Sequence, residues 1–336
     1  MKALIIGAGR MGIRHAQGAL NVNGVDEVCM VDMIDAALEN AKAQLASHAH
    51  ANKLTTSKAG EAKGAFDFVI IASTAAGRMS ACEYALTLNP KYILIEKPLG
   101  QSYAEAEQLV HFFNGKKVIA SVNLNTRLYK FILDLKKDLD MLPQFKGFKQ
   151  INYNGGTLGI GANGIHFLDL LFFLLAAKRA KLIAGEIEPD LIPSGRGPQF
   201  GDFGGWACIK FFNEKEEYIG RSLISLSSLS TVFGGWEIIG AHGRIRINEL
   251  ENQRVDILRK ADSGLPVNRY AADYLPPVVH PIVSPFLGDL TQLWMESIIK
   301  NNVNLLPTID ESLKVHKLLF DWLSLSDTHK EKFPIT

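Results

Sequence analysis

Residues 2–12 read Lys2-Ala3-Leu4-Ile5-Ile6-Gly7-Ala8-Gly9-Arg10-Met11-Gly12. A short apolar run stops at a glycine, and three glycines at GxGxxG spacing lead into a helix-forming stretch that continues to about Leu20. The first glycine allows the tight turn out of a strand, the second lets backbone approach a pyrophosphate, and the third lets the helix pack closely on the strand. The helix N-terminus offers unpaired N–H groups and the positive end of a dipole to phosphate oxygens. The string alone is weak, and its setting strengthens it. A second apolar run, 27–31, ends at Asp32, where a carboxylate can accept hydrogen bonds from the adenosine ribose hydroxyls and repel a 2′-phosphate. Met33 and Ile34 offer no cation to such a phosphate, so NAD is favoured over NADP, and Arg10 is the one residue that argues the other way. The predicted cofactor contacts here are Gly7, Gly9, Arg10, Met11, Gly12 and Asp32.

Outward from this motif, apolar runs at 66–72, 92–95 and 117–122 alternate with helical patterns at 36–47, 78–88 and 104–113, with Asp35 placed as a helix N-cap. Alternating strands and helices predict parallel pairing, and strands without period-two alternation predict a sheet covered on both faces. Residues 1–122 therefore read as an α/β Rossmann domain with a doubly wound parallel sheet. After residue 123 the rhythm changes. A helix at 128–139, a strand at 148–154 and a strongly apolar helix at 164–177 precede strands at 181–187, 206–212, 218–225, 233–240 and 243–248. Two helices, 286–301 and 310–325, close the chain. Strands in series predict an α+β domain over 123–336, built on a mostly antiparallel open sheet. Its C-terminal helices are free to pack back on the first domain. Residues 261–281, with four prolines and little periodicity, read as a long loop.

The length of 336 residues is itself suited to two domains. A hydrophobic content of 47% and a net charge of +1 argue for an ordinary globular chain rather than a nucleic-acid binder. No stretch is long and apolar enough to predict a membrane span, and the first residues lack a secretory leader pattern. Cys29, Cys82 and Cys208 are far apart and form no metal-ligand spacing, so no metal is expected and buried reduced thiols in a cytoplasmic protein are.

Several further segments carry a family likeness. Ile71-Ala72-Ser73-Thr74 ends one strand, and Glu96-Lys97-Pro98 follows the run at 92–95. Asn123 and Arg127 come next, then Gly164-Ile165-His166-Phe167-Leu168-Asp169, Ile239-Gly240-Ala241-His242-Gly243 and the segment 307–319. Together with the glycine motif they resemble the glucose–fructose oxidoreductase, inositol dehydrogenase and MocA family over nearly the whole chain. The resemblance implies an NAD-dependent oxidoreductase acting on a secondary alcohol of a sugar, cyclitol or nucleotide-sugar. It implies Lys97 as the proton-transfer group and His166 as a substrate contact or proton partner. It extends the cofactor contacts to Ser73, Thr74, Glu96 and Lys97, and implies a homodimer or homotetramer.

Position and chemistry add to this. Ligands of open α/β sheets bind beyond the carboxyl ends of the strands, where Glu96 and Lys97 fall. A buried lysine readily loses basicity, which suits proton transfer near neutrality. Asn123, Arg127, Asn163, His166 and Asp169 are the candidate substrate-binding residues. Arg127 suits a carboxylate or phosphate, Asn163 a sugar hydroxyl, and Asp169 the support of His166. The residues alone leave the opposite readings open: a solvated surface Lys97, a satisfied core His166, a structural ion pair for Arg127, and a plain connection rather than a mobile loop at 153–161. They also leave the Lys97-Pro98 peptide open between cis and trans. Two departures from the family pattern matter. Ala162 stands where many members have an aspartate, four residues before the histidine, and Met79 where many have a histidine. Ala162 motivates two alternatives: an NAD-binding regulatory or partner protein that has lost catalysis, and elimination or glycoside chemistry that recycles bound NAD.

Overall fold

The structure is a computed structural model and describes residues 1–156, 158–193, 199–260, 274–327 and 333–335. The chain divides into two compact units, Met1–Tyr129 with Pro285–Leu313, and Lys130–Ser284 with Lys314–Ile335.

The first unit is built on six strands: β1 (Lys2–Ile6), β2 (Glu27–Asp32), β3 (Leu54–Lys58), β4 (Phe68–Ile71), β5 (Tyr92–Ile95) and β6 (Ile119–Val122). Their order is β3-β2-β1-β4-β5-β6, and every neighbouring pair is parallel. This is the doubly wound order, with the topological switch point between β1 and β4. Leu4, Ile5, Val69, Ile70, Ile93 and Ile95 are each fully buried, which is why their runs are continuously apolar. The strand β3 is not marked by an apolar run, because as a half-exposed edge strand it can be Leu-Thr-Thr-Ser-Lys. Helices α1 (Arg10–Leu20), α2 (Asp35–Leu45), α3 (Arg78–Thr87) and α4 (Tyr103–Phe113) lie between the strands in sequence. Asp35 is the first residue of α2 rather than its cap, and its charge at that end favours the helix dipole.

The segment Pro285–Leu313 completes this unit with α7 (Leu287–Asn301), which packs on α1. The approach is close: a Cβ on Gly18 would lie 2.0 Å from the Gly288 carbonyl oxygen. Trp294 of α7 is fully buried, with its ring edge-on to Phe68 at 5.7 Å. The last helix, α8 (Ile309–Leu323), belongs to the first unit as far as Leu313 and to the second from Lys314.

The second unit holds α5 (Lys130–Met141), β7 (Lys149–Gly156), α6 (Ile165–Leu175), β8 (Arg179–Pro193), β9 (Gly201–Phe212), β10 (Tyr218–Ser227), β11 (Gly235–Ile239), β12 (Gly243–Asn248), β13 (Gln253–Leu258) and β14 (Val278–Pro281). The sheet order is β14-β13-β12-β11-β7-β10-β9-β8, antiparallel except for the β7/β10 pair. One face is buried through Ile151, Ile209, Phe211 and Ile224, with Phe172 of α6 edge-on to Phe211 at 5.5 Å. The other face leaves Trp206, Leu223 and Ile239 exposed and Cys208 half-exposed.

Two strands depart from the sequence pattern. In β13 the buried positions are charged: Arg254 pairs with Asp256 and with Asp138 of α5, so polarity and burial are inverted there. Residues 278–281 form β14 instead of loop, while 261–273 lie outside the described residues. Among the described residues no helix is long and apolar enough to cross a membrane, and no cluster of three or more histidine, cysteine or acidic side chains could hold a metal ion.

Candidate functional site

In the first unit the glycine loop forms a pinned, open-sided turn. Gly7 adopts φ +107°, a region that L side chains rarely enter, and its N–H donates to the Val31 carbonyl at 2.8 Å. The Ala8 N–H donates to Asp32 Oδ2 at 2.7 Å, and the Ile34 N–H to Asp32 Oδ1 at 3.0 Å. Asp32 thus ties the ends of β1 and β2 together and holds its own carboxylate at the switch-point edge. A Cβ on Gly12 would lie 1.8 Å from the Gly7 carbonyl oxygen, so α1 can start this close only with glycine there. A Cβ on Gly9 would meet nothing within 4 Å, so that side of the turn is open. Gly9 caps α1 with no side-chain hydrogen bond, and no acidic residue occupies the first turn. The N-terminal N–H groups therefore meet no competing carboxylate on their own helix, as an anion site requires. Arg10 and Ile34 are exposed, Met11 is half-buried, and Met33 is 80% exposed beside Asp32. An open turn, a helix N-terminus and a carboxylate at the end of β2 fit a dinucleotide.

Ser73 and Thr74 follow β4, half-buried and exposed respectively, and the Arg78 guanidinium donates to the Ser73 carbonyl at 2.7 Å. Met79 is half-buried on α3. Arg127 is half-buried in the 3₁₀ turn Asn125–Leu128.

Glu96 and Lys97 emerge at the carboxyl end of β5, 4% and 8% exposed, and the Lys97-Pro98 peptide is cis. Glu96 turns inward. Its Oε1 accepts from Asn123 Nδ2 at 2.6 Å and lies 3.0 Å from His15 Nε2, and His15 Nδ1 lies 2.8 Å from Thr291 Oγ1. Burial pushes the Glu96 carboxyl up, but the His15 hydrogen bond and charge, the Lys97 charge and the Asn123 hydrogen bond together hold it down at about 2. The buried group is thus a carboxylate with hydrogen-bonding partners on two other chain segments. Glu96 was expected to face cofactor and Asn123 substrate, and both are engaged in this inner network. His15 and Thr291 were not anticipated. The signal for His15 was its place one turn beyond the glycine motif, whereas Thr291 is 276 residues away and left none.

In the second unit, His166 opens α6 directly after a π-helical turn, Ile160–Gly164, where the Gly164 N–H donates to the Gly159 carbonyl at 3.0 Å. Such wide turns are frequent at functional sites. The turn also means that residues 162 and 166 are not related by simple α-helical spacing. Ala162, Asn163 and His166 are half-buried, and Asp169 is 1% exposed. A carboxylate reaches this turn from a distant strand. Asp202 of β9 accepts the Gly161 N–H on Oδ1 at 2.8 Å, the Ala162 N–H on Oδ2 at 2.6 Å and its neighbour Phe203 N–H on Oδ1 at 2.8 Å. It caps the turn from a distant strand. Gly159 is required beside it, because a Cβ there would lie 2.0 Å from Asp202 Oδ2. Phe167 packs on Tyr153 at 4.2 Å and on Trp236 at 5.1 Å between ring centres, anchoring the helix start to the sheet. Tyr153 to Gly156 therefore belong to β7 and not to a loop.

Residues 1–124 match the family model of the GFO/IDH/MocA oxidoreductases, described as an oxidoreductase family with an NAD-binding Rossmann fold. No curated protein matches the sequence. Solved structures share the fold over both units. An oxidoreductase from Agrobacterium radiobacter, in complex with NAD+, L-tartaric acid and magnesium, is 16% identical with a TM-score of 0.71, covering 98% of this chain and 96% of that one. UDP-N-acetylglucosamine 3-dehydrogenase GnnA from Acidithiobacillus ferrooxidans is 15% identical with a TM-score of 0.67, covering 97% of each chain. A super-repressor mutant of Gal80p from Saccharomyces cerevisiae is 13% identical with a TM-score of 0.71, covering 97% of this chain and 95% of that one.

Proposed function

We propose that the protein is an NAD-dependent dehydrogenase or reductase acting on a secondary alcohol of a sugar, cyclitol or nucleotide-sugar. The observation that carries this reading is Lys97: a lysine 8% exposed at the carboxyl end of β5, beside an ionised Glu96, in an NAD-binding Rossmann unit. Bound NAD would supply or accept the hydride. The turn Gly7–Gly12 with Arg10 and Met11 would hold the pyrophosphate, Asp32 the adenosine ribose, and Ser73 and Thr74 the nicotinamide half. Lys97 Nζ would take the hydroxyl proton as the carbinol carbon is oxidised and return it in the reverse direction. His166 and Asn163 are side chains suited to substrate hydroxyls, and Arg127 to an anionic substituent. A named relative in fold, the UDP-N-acetylglucosamine 3-dehydrogenase, supports a sugar-like substrate. Asp32 favours NAD over NADP by repelling a 2′-phosphate.

Lys97→Met tests the reading. It should keep NADH binding and lower turnover with a responsive sugar alcohol by at least about a hundredfold, the scale of a positioned acid–base group. Unchanged turnover would remove Lys97 from the reaction.

Ala162 favours a second reading, an NAD-binding regulatory protein without turnover. Asp202, which could otherwise stand in for the missing carboxylate, is engaged as a cap on the turn that holds Ala162. NADH absorbance across a panel of sugars and cyclitols separates the two, since the regulatory reading requires cofactor binding with no change in absorbance. The open sheet face around Trp206, Leu223 and Ile239 is the surface through which we propose a homodimer or homotetramer.

A further inference from the structure

We propose that His15, backed by Thr291, is a positioning residue of the cofactor site, fixing Glu96 and through it the adjoining Lys97 relative to the helix that receives the pyrophosphate. α1 begins at the glycine turn, and His15 lies on it facing inward, 2% exposed. Its two ring nitrogens reach two other elements: Nε2 to Glu96 at the end of β5, and Nδ1 to Thr291 on α7. Asn123, just after β6, closes the network on Glu96 Oε1. Glu96 as a carboxylate only accepts, so His15 Nε2 carries a proton and donates. The Thr291 hydroxyl, 2.8 Å from Nδ1, can donate to that nitrogen or accept from it, so it partners the ring in either form. A buried carboxylate tolerates loss of a donor poorly, so its position is set by the imidazole rather than by solvent. Lys97 is the next residue along the chain. A shift of Glu96 therefore moves the backbone that carries the lysine. Thr291 touches neither β5 nor the glycine turn in this network, and acts only through His15.

The proposal depends on the dehydrogenase reading for turnover alone, not for NADH affinity or loop order. The test uses the full-length chain with Thr291→Val, which keeps shape and removes the hydroxyl, and Thr291→Ser, which restores it. NADH affinity by fluorescence and amide hydrogen exchange over residues 95–99 are read for each, with ¹⁵N shifts of the His15 ring reporting its tautomer. Thr291→Val should weaken NADH binding about fivefold, the scale of one lost buried hydrogen bond. It should also speed exchange at 95–99, and Thr291→Ser should recover both. His15→Gln serves as the second probe where Thr291→Val lowers expression, with the same expected direction. Variants that lose stability but keep wild-type NADH affinity and wild-type exchange at 95–99 would overturn the proposal, leaving the contact as packing only. Affinity and exchange that move as expected, in a protein that turns over no alcohol, would uphold the positioning role and refute the dehydrogenase reading separately.

Discussion

Asp202 Oδ2 accepts the backbone N–H of Ala162 at 2.6 Å, so a carboxylate reaches this turn but meets its backbone. The cap comes from β9, 40 residues after the alanine it meets. Removing it leaves two N–H groups of a partly buried helix start without their acceptor. Asp202→Ala should destabilise the second unit by about 1–3 kcal/mol, in the range of lost caps and unsatisfied buried donors. Urea unfolding followed by circular dichroism checks this, and a cost below a few tenths would show that the turn holds itself.

Gly159→Ala approaches the same contact from the other side. The added Cβ would sit 2.0 Å from the Asp202 carboxylate, so either the turn or the cap must move. The expected cost is about 1–3 kcal/mol, typical of overpacking. Combining it with Asp202→Ala should cost less than the sum of the two, because the clash goes with the carboxylate.

At the other site, Gly12→Ala tests the helix–strand approach. Its Cβ would meet the Gly7 carbonyl oxygen at 1.8 Å, so α1 must slide outward and carry its N-terminal N–H groups with it. NADH affinity should fall at least tenfold, equivalent to about 1.4 kcal/mol. Isothermal titration reads the affinity, and a near-normal value would mean that the phosphates are not held at this turn.

The Glu96 carboxyl predicts an acid limb of stability. Its folded pKa, held down at about 2, lies below the ordinary glutamate value of 4.5, so the charged form is favoured by folding. That contribution is present in full above the unfolded value and is lost as pH falls from there through about 2. Other carboxylates titrate in the same window, so the diagnostic is the difference between the wild type and Glu96→Gln. Their stabilities should converge as pH is lowered from 6 towards the acid limit, and a constant gap in urea titrations would contradict the assignment.

Asp32→Ala addresses the cofactor. Loss of the carboxylate removes both the ribose acceptor and the repulsion of a 2′-phosphate, and frees the Ala8 N–H. NADH should weaken and NADPH gain relative to it by about tenfold or more, a shift of about 1.4 kcal/mol. Paired titrations with NADH and NADPH decide it.

What the sequence revealed divides along the range of the interactions. The parallel sheet was legible because Leu4, Ile5, Val69 and Ile70 must be apolar on both faces. The glycine turn was legible because its three glycines lie within six residues. β3 was hidden, since an edge strand needs no apolar run. β13 was hidden because its buried positions, Arg254 and Asp256, satisfy each other by charge. The polar contacts that shape both sites are tertiary: His15 with Thr291, and Asp202 with the turn at Ala162. No local spacing encodes them, and the π turn before His166 spoils even the four-residue rule that reads helical faces.

The return of α7 to α1 also makes the first unit discontinuous in sequence. The nucleotide unit is written as two separated passages, Met1–Tyr129 and Pro285–Leu313, with Lys130–Ser284 interposed like a parenthesis. A fragment cut at the family-model boundary of residue 124 would retain every glycine of the motif, yet it would lack the helix that covers α1 and the hydroxyl that meets His15. The unit that carries the glycine turn is therefore assembled from two passages and not from an N-terminal stretch alone.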